Sequence, residues 1–220
     1  MSDPSSGSAA DAAYRHVKDR VLTGELEGGR MLSEGEVATA LTVSRTPVRE
    51  AFLRLEVEGW LRLYPKRGAL VVPVAPGEVD EVLDARALLE GHAAAAVVAR
   101  PDALAALVAR LDDVIAAQEA HHRDGDVPAF TDADAQFHQL IADAGGNGLL
   151  TGFYRGLREH QQRMTADSLR GRTGVADDVL AEHRVLRDRL AAGDADGFAR
   201  ALADHLDHTH RTADRPGAPR

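Results

Sequence analysis

From Ala9 to about Thr23 apolar residues recur at helical spacing: Tyr14, Val17 and Val21/Leu22 share one side, and Gly24 ends the run. Glu25 to Leu32 reads as a connector containing Gly28-Gly29. Ser33-Glu34-Gly35-Glu36 then has the form of a capping box, in which the serine hydroxyl meets the third helical N–H and Glu36 reaches back. A short helix to about Leu41 follows, with Val37, Ala38 and Leu41 inward. Thr42-Val43 makes a turn, and a further helix runs from Arg45 to about Glu58. Its apolar side is Val48, Ala51/Phe52 and Leu55, and Gly59 is its stop. Ser44 is the expected N-cap, its hydroxyl accepting an orphan N–H. Pro47 falls within the first turn, where a missing N–H removes no intrahelical bond. Trp60 to Tyr64 alternates, Pro65-Lys66-Arg67-Gly68 is a turn, and Ala69 to Val72 is a second strand. Three helices followed by a two-stranded hairpin predict a winged helix-turn-helix.

Val72-Pro73-Val74-Ala75-Pro76 reads as an extended linker, and everything beyond it is helical. Helices are expected from Glu78 to about Ala99, Pro101 to about His122, Pro128 to Ala142, from an Asn147 cap to about Met164, Val175 to Ala192, and Asp194 to about Thr212. Arg123 to Asp126 and Ser168 to Gly174 are expected loops. Six helices with short connections predict an antiparallel bundle. The fold class is therefore mainly α: a winged helix-turn-helix over 9–72, a linker over 73–76, and an all-α antiparallel bundle over 77–212. Residues 1–8 and 213–220 are expected to be disordered.

Composition narrows the options. The chain has no cysteine, which excludes disulfides and thiolate metal sites. No apolar run is long enough to span a bilayer, and the polar N-terminus does not resemble a signal peptide, so a soluble cytoplasmic protein is expected. The net charge of -9 is unevenly placed: residues 1–74 carry 10 basic and 10 acidic groups, leaving 16 basic and 25 acidic ones from 75 onward. Within the first part Arg45, Arg49, Arg54, Arg62, Lys66 and Arg67 face only Glu50, Glu56 and Glu58. A local basic patch on an acidic molecule suits phosphate contact; the alternative is an ordinary solvated helix face.

Arg45 and Arg49 are four apart, so both project from one face of the N-terminal half of their helix. That is where a helix lying in a DNA major groove meets bases and phosphates. A second constellation lies in the bundle. Asp134 and His138 share one helix face, and His183 and His205 sit on later helices. One carboxylate and three imidazoles would bind a divalent transition metal such as zinc, with nickel or manganese as further candidates, and leave a position open for a ligand. The alternative is that these histidines are structural, as lone histidines usually are.

The stretch from Tyr14 to Val72 resembles the DNA-binding domain of the GntR family of bacterial transcription regulators. The likeness rests on G24-E-L-E-G-G-R-M-L-S-E-G-E-V-A, L41-T-V-S-R-T-P-V-R-E-A-F-L-R-L-E, E58-G-W-L and P65-K-R-G-A-L-V. It implies that Arg45, Thr46 and Arg49 contact DNA, with Ser44 beside them and the basic wing residues Lys66 and Arg67, and that Gly68 approaches the minor groove. Two positions depart from the family: Gly35 stands where an arginine is usual, and Thr42 where a glycine usually opens the turn. The bundle resembles the FCD effector domain of the FadR-type branch through D134-A-Q-F-H138, E182-H183 and H205-L206. That likeness assigns the metal to Asp134, His138, His183 and His205, and places Arg86 and Asn147 at an effector site for small carboxylates. Arg86 also has a plainer reading, a salt bridge to Glu90 four residues on.

The resemblance implies a homodimer on a pseudo-palindromic operator, most members of this branch being repressors released by a ligand. Two other readings stay open: a metal-dependent hydrolase with a DNA-binding head, and a regulator whose metal is purely structural.

Overall fold

The computed structural model describes residues 8–75, 77–171 and 174–210. The chain divides into two compact units, the first ending at Val74 and the second beginning at Ala75.

In the first unit, α1 (Ala9–Leu22) starts at a capping box: Ser8 accepts from the Asp11 N–H and Asp11 answers with its carboxylate. α2 (Glu34–Leu41) starts at the predicted Ser33/Glu36 box. It ends on Thr42 at φ 55°, a left-handed conformation that costs a β-branched residue strain. Val43 N–H reaches back to the Ala38 carbonyl at 3.0 Å. The threonine thus adopts the left-handed conformation a glycine takes up without strain. α3 (Arg45–Val57) buries Val48, Ala51, Phe52 and Leu55, the predicted side. Ser44 precedes it with extended backbone but makes no side-chain cap bond. That expectation fails for a chemical reason: Pro47 occupies the third helical position, so one of the two N–H groups a capping hydroxyl uses is missing.

The hairpin is β2 (Leu61–Tyr64) against β3 (Gly68–Val71), with Leu61 opposite Val71 and Tyr64 opposite Gly68. β3 starts one residue earlier than expected. The supposed connector also contributes a short strand, β1 (Met31–Leu32), which pairs antiparallel with β3 and puts that strand in the middle of a three-stranded sheet. Leu32, Ala69 and Val71 join Val17, Phe52 and Trp60 in one core. Lys18 and Tyr14 on α1 both reach the Glu58 carboxylate, at 2.7 and 2.8 Å, so α3 is tied to α1 at its C-terminal end.

The second unit is all helix: α4 (Glu78–Val98), α5 (Pro101–Asp124), α6 (Val127–Ala144), α7 (Gly148–Gly171), α8 (Val175–Ala191) and α9 (Ala195–His210). Consecutive helices α5/α6, α6/α7 and α8/α9 pack together, while α4 lies against α9 and α6, and α5 against α8. Leu111, Phe137, Ile141, Leu186, Leu190, Phe198 and Leu202 fill the core between them. Two boundaries differ from expectation. α5 continues to Asp124, and Gly125 ends it at φ 69°. α7 continues to Gly171, into the stretch from Ser168 expected to be a loop; Ser168 is a buried polar residue rather than a solvated one. The expected final residue of α9, Thr212, lies outside the described residues.

Candidate DNA-binding face and candidate metal centre

The N-terminal half of α3, the start of α2 and the tip of the hairpin enclose an open groove of about 710 Å³. Arg45, Arg49, Lys66 and Arg67 line it, as do Glu34 and Gly68. Thr46 and Ser44 are exposed next to it at the head of α3. The structure thus brings four cations onto one concave surface. It removes a fifth: Arg54 binds Asp11 at 2.7 Å and lies over the Tyr14 ring at 4.2 Å, so it serves the α1–α3 contact. Glu56 is likewise committed, accepting from the Leu63 N–H at 2.8 Å. Glu34, which charge counting along α3 overlooked, takes Arg49 in a two-point ion pair of 2.8 and 3.0 Å. No spacing rule reveals a partner 15 positions away. Gly68 acquires a structural reason of its own: a Cβ there would stand 2.5 Å from the Leu32 carbonyl oxygen, and its φ is 99°. β1 therefore demands a glycine at that position whatever else approaches it.

In the bundle, α6, α8 and α9 converge His138, His183 and His205, which are 0%, 0% and 2% exposed. Their Nε2 atoms meet: His138 to His183 at 3.3 Å and His138 to His205 at 3.2 Å. Each ring's other nitrogen has an acceptor, Nδ1 of His138 facing Glu90 at 2.6 Å, that of His183 Gln118 at 2.9 Å, and that of His205 Glu182 at 2.7 Å. An N–H at each Nδ1 leaves a lone pair on each Nε2. Burial, with Arg86 and neighbouring imidazoles behind it, holds His138 and His183 well below the usual histidine range, so these two rings are neutral at pH 7. Three lone pairs pointing at one another repel. A cation between them removes the repulsion, and the spacing suits one: two nitrogens bound tetrahedrally at the usual Zn–N length stand about 3.3 Å apart. The donor set therefore fits a divalent transition metal, and these three imidazoles could hold one.

Asp134 lies at the edge of this cluster. Its Oδ2 accepts from Gln161 and Thr165 at 3.0 and 3.1 Å, and its Oδ1 is 3.5 Å from His183 Nε2. Phe137 stacks on His183 with ring centroids 4.0 Å apart, fixing that ring's plane. Glu182 faces away from the cluster, where it accepts from His205 and His208. Burial raises its carboxyl, and those hydrogen bonds outweigh burial and bring it below the usual range.

Arg86 is fully buried, and Nε donates to Glu90 at 3.1 Å, so the salt-bridge expectation holds. Its Nη1 and Nη2 have no hydrogen-bond partner among the described residues. Burial works against its charge, yet Tyr154, Glu90 and Asp134 prevail and push the guanidinium up. Beyond its contact with Glu90, the charged fork thus has two buried nitrogens with no acceptor, which a further acceptor could meet. Tyr154 donates to Glu90 at 2.6 Å, and burial lifts both groups above their ordinary values. Asn147 is elsewhere: it is exposed and its Oδ1 caps α7, accepting from Leu149 and Leu150. The structure does not bring it to the buried cluster. Glu90, Gln118, Tyr154 and Gln161 were not legible as members of this site.

A winged helix with a cationic groove, joined to a helical bundle with a buried ligand-type cluster, defines a DNA-binding transcription regulator. Residues 9–71 match the bacterial regulatory proteins of the gntR family, and residues 81–208 match the FCD domain. A helix-turn-helix-type transcriptional regulator from an unstable DNA locus of Streptomyces ambofaciens is 34% identical over 198 residues, covering 88% of this chain and 80% of that one. A similar regulator from the ttuE-ttuC' region of Agrobacterium vitis is 35% identical over 139 residues, 62% of this chain and 81% of its own. The gluconate operon transcriptional repressor of Bacillus licheniformis is 24% identical over 196 residues, 87% of this chain and 79% of its own. Among solved structures, a GntR transcriptional regulator from Rhodococcus sp. RHA1 superposes with a TM-score of 0.76 at 21% identity, covering 97% of this chain and 100% of that one. E. coli McbR/YncC gives 0.72 at 23%, covering 94% and 98%. The chain belongs to the GntR family of bacterial transcription regulators and carries an FCD domain. These families consist of regulators, which sets aside the hydrolase reading. No described helix is long and apolar enough to cross a membrane.

Proposed function

We propose that this regulator is a cytoplasmic repressor released by a small carboxylate held beside a divalent metal ion. The head over 9–72 reads the operator: Arg45, Thr46 and Arg49 from α3, with Ser44 at its start and Lys66, Arg67 and Gly68 from the wing. The domain over 77–212 senses the effector. The observation that carries the sensor reading is the convergence of the three imidazole Nε2 atoms, with every Nδ1 anchored by an acceptor. His138, His183 and His205 hold the ion, zinc foremost, and Asp134, at the edge of the cluster and 3.5 Å from His183 Nε2, is the candidate fourth ligand. A bound metal offers an inner-sphere position to a carboxylate. The chain's own part is Arg86, whose two unpartnered nitrogens match the two oxygens of that group.

Two copies bind a pseudo-palindrome. Neighbouring helices α4 and α7 support dimerisation, since they expose Leu88, Leu149 and Phe153 at 73%, 78% and 71%. Gly148, Gly152 and Gly156 follow one another at four-residue intervals alongside, with open space over each. Such a stripe marks an interaction surface.

The complete burial of the three histidines favours a second reading, in which the ion only holds the bundle together. Melting and operator binding of the zinc-loaded chain, measured across a panel of small carboxylates, separate the two. A sensor is stabilised by a panel member, releases DNA, and loses both responses in Arg86→Lys. If chelation lowers the melting temperature while no carboxylate alters melting or DNA affinity, the sensing role is wrong and the metal is structural.

A further inference from the structure

Glu34 is the first residue of α2, and its backbone is pinned by the capping box around it: Glu36 accepts the Ser33 N–H at 2.7 Å and Ser33 accepts the Glu36 N–H at 3.1 Å. From this fixed point its carboxylate grips Arg49, Oε1 on Nε at 2.8 Å and Oε2 on Nη2 at 3.0 Å. Arginine carries five N–H donors on a rigid plane. The pair with Glu34 consumes the Nε–Nη2 edge. The Nη1–Nη2 edge makes no other hydrogen bond among the described residues, and it lies in the groove with Arg45, Lys66 and Arg67. Arg45 reaches over Gly35, its Nη2 at an ordinary contact distance of 3.7 Å from where a Cβ would stand.

From this geometry we infer that Glu34 is a positioning residue for DNA recognition, holding Arg49 so that its free edge reads a guanine. This rests on the reading of α3 as the helix that meets DNA. Guanine alone presents two acceptors, N7 and O6, side by side in the major groove, which match two parallel N–H donors. An adenine offers one acceptor and one donor, so the held fork meets a donor. A freely rotating Arg49 could turn instead to any phosphate. Glu34 prevents this twice over, by fixing the plane of the guanidinium and by placing a negative charge against the backbone. Its effect is on the ratio of specific to non-specific affinity, not on affinity as such.

The test uses the full-length chain. A randomised duplex pool selects a preferred site, and binding is then measured to that site, to the same site with 7-deazaguanine at each guanine in turn, and to alternating dA–dT duplex. Wild type should lose affinity at one guanine of each half-site when N7 is removed. Glu34→Gln should bind the selected site about tenfold to a hundredfold more weakly, the range of one two-point base contact. It should become insensitive to that 7-deazaguanine, while binding dA–dT as well as wild type or better. Glu34→Asp keeps the charge but not the reach and should show the same loss. Unchanged melting of both variants identifies the loss with recognition; should one fail to fold, the other carries the test. Equal strengthening on all three duplexes makes Glu34 a mere repulsive charge and overturns the proposal, as does retained 7-deazaguanine sensitivity. If Arg49→Ala binds the selected site like wild type, the failure lies in the reading of α3 instead.

Discussion

Acid should loosen the helical bundle well before the ordinary carboxylates titrate. His138 and His183 are neutral in the fold because burial, then nearby positive groups, depresses them well below the usual value. In the unfolded chain each titrates near pH 6.5. Between that pH and their folded values the unfolded state binds more protons, so stability falls as pH falls. At pH 5.5 each unfolded imidazole is about nine-tenths protonated, worth about 1.4 kcal/mol, or about 2.8 kcal/mol for the pair. Glu90 acts in the opposite sense, since burial raises its carboxyl and the fold takes up a proton earlier than the unfolded chain. The net loss from pH 7.5 to 5.5 therefore falls below that sum, at about 1.5–2.5 kcal/mol, or about 3–10 °C in melting temperature for a chain of this size. Scanning calorimetry of the chelator-treated protein at the two pH values measures it. His138→Gln/His183→Gln should melt with a distinctly flatter pH dependence. Equal melting of the wild type at both pH values, or an undiminished slope in the double variant, would refute the neutral-imidazole argument.

Other substitutions probe separate parts. Arg45→Ala should weaken operator binding and make its salt dependence shallower by about one in slope, read from anisotropy titrations at several salt concentrations. Gly68→Ala should destabilise the first unit by about 2–4 kcal/mol, because the new Cβ meets the Leu32 carbonyl oxygen and φ is positive; wild-type melting would show that β1 yields. Arg86→Ala should cost about 3–5 kcal/mol by leaving a buried Glu90 without its cation, measurable by denaturant titration. Phe153→Glu should give monomers in sedimentation while melting stays close to wild type, since its ring is exposed.

Periodicity and punctuation carried much of the architecture. Both head capping boxes use the local chemistry of serine and an acidic residue three positions on, although only the Ser33 box was anticipated. Asn147 could be read as the cap of α7 for the same reason. What escaped was non-local or outside the apolar pattern. Met31–Leu32 is too short for a strand pattern and exists only because β3, with Leu70 opposite Met31 and Ala69 opposite Leu32, lies beside it. The stretch from Ser168 was expected to be a loop, yet it continues α7 to Gly171, and its first residue is a buried serine that an apolar pattern does not register. The ligand-type residues Asp134, His138, His183 and His205 stood out as residue types. Their anchors did not: Glu90 and Gln118 are single polar residues on helical faces, 48 and 65 positions from the rings they hold. Arg49 was read as a free cation since its partner Glu34 belongs to another helix.

The burial of the histidine cluster also has a kinetic meaning. With these rings all but sealed from solvent, anything held at their Nε2 atoms lies within the packed bundle. Exchange is then expected to follow local opening of the surrounding helices, whose cost is set by packing of residues such as Phe137. The time such a centre takes to load or empty is therefore a property of the bundle's breathing, and substitutions that loosen the core far from any ligand should quicken it.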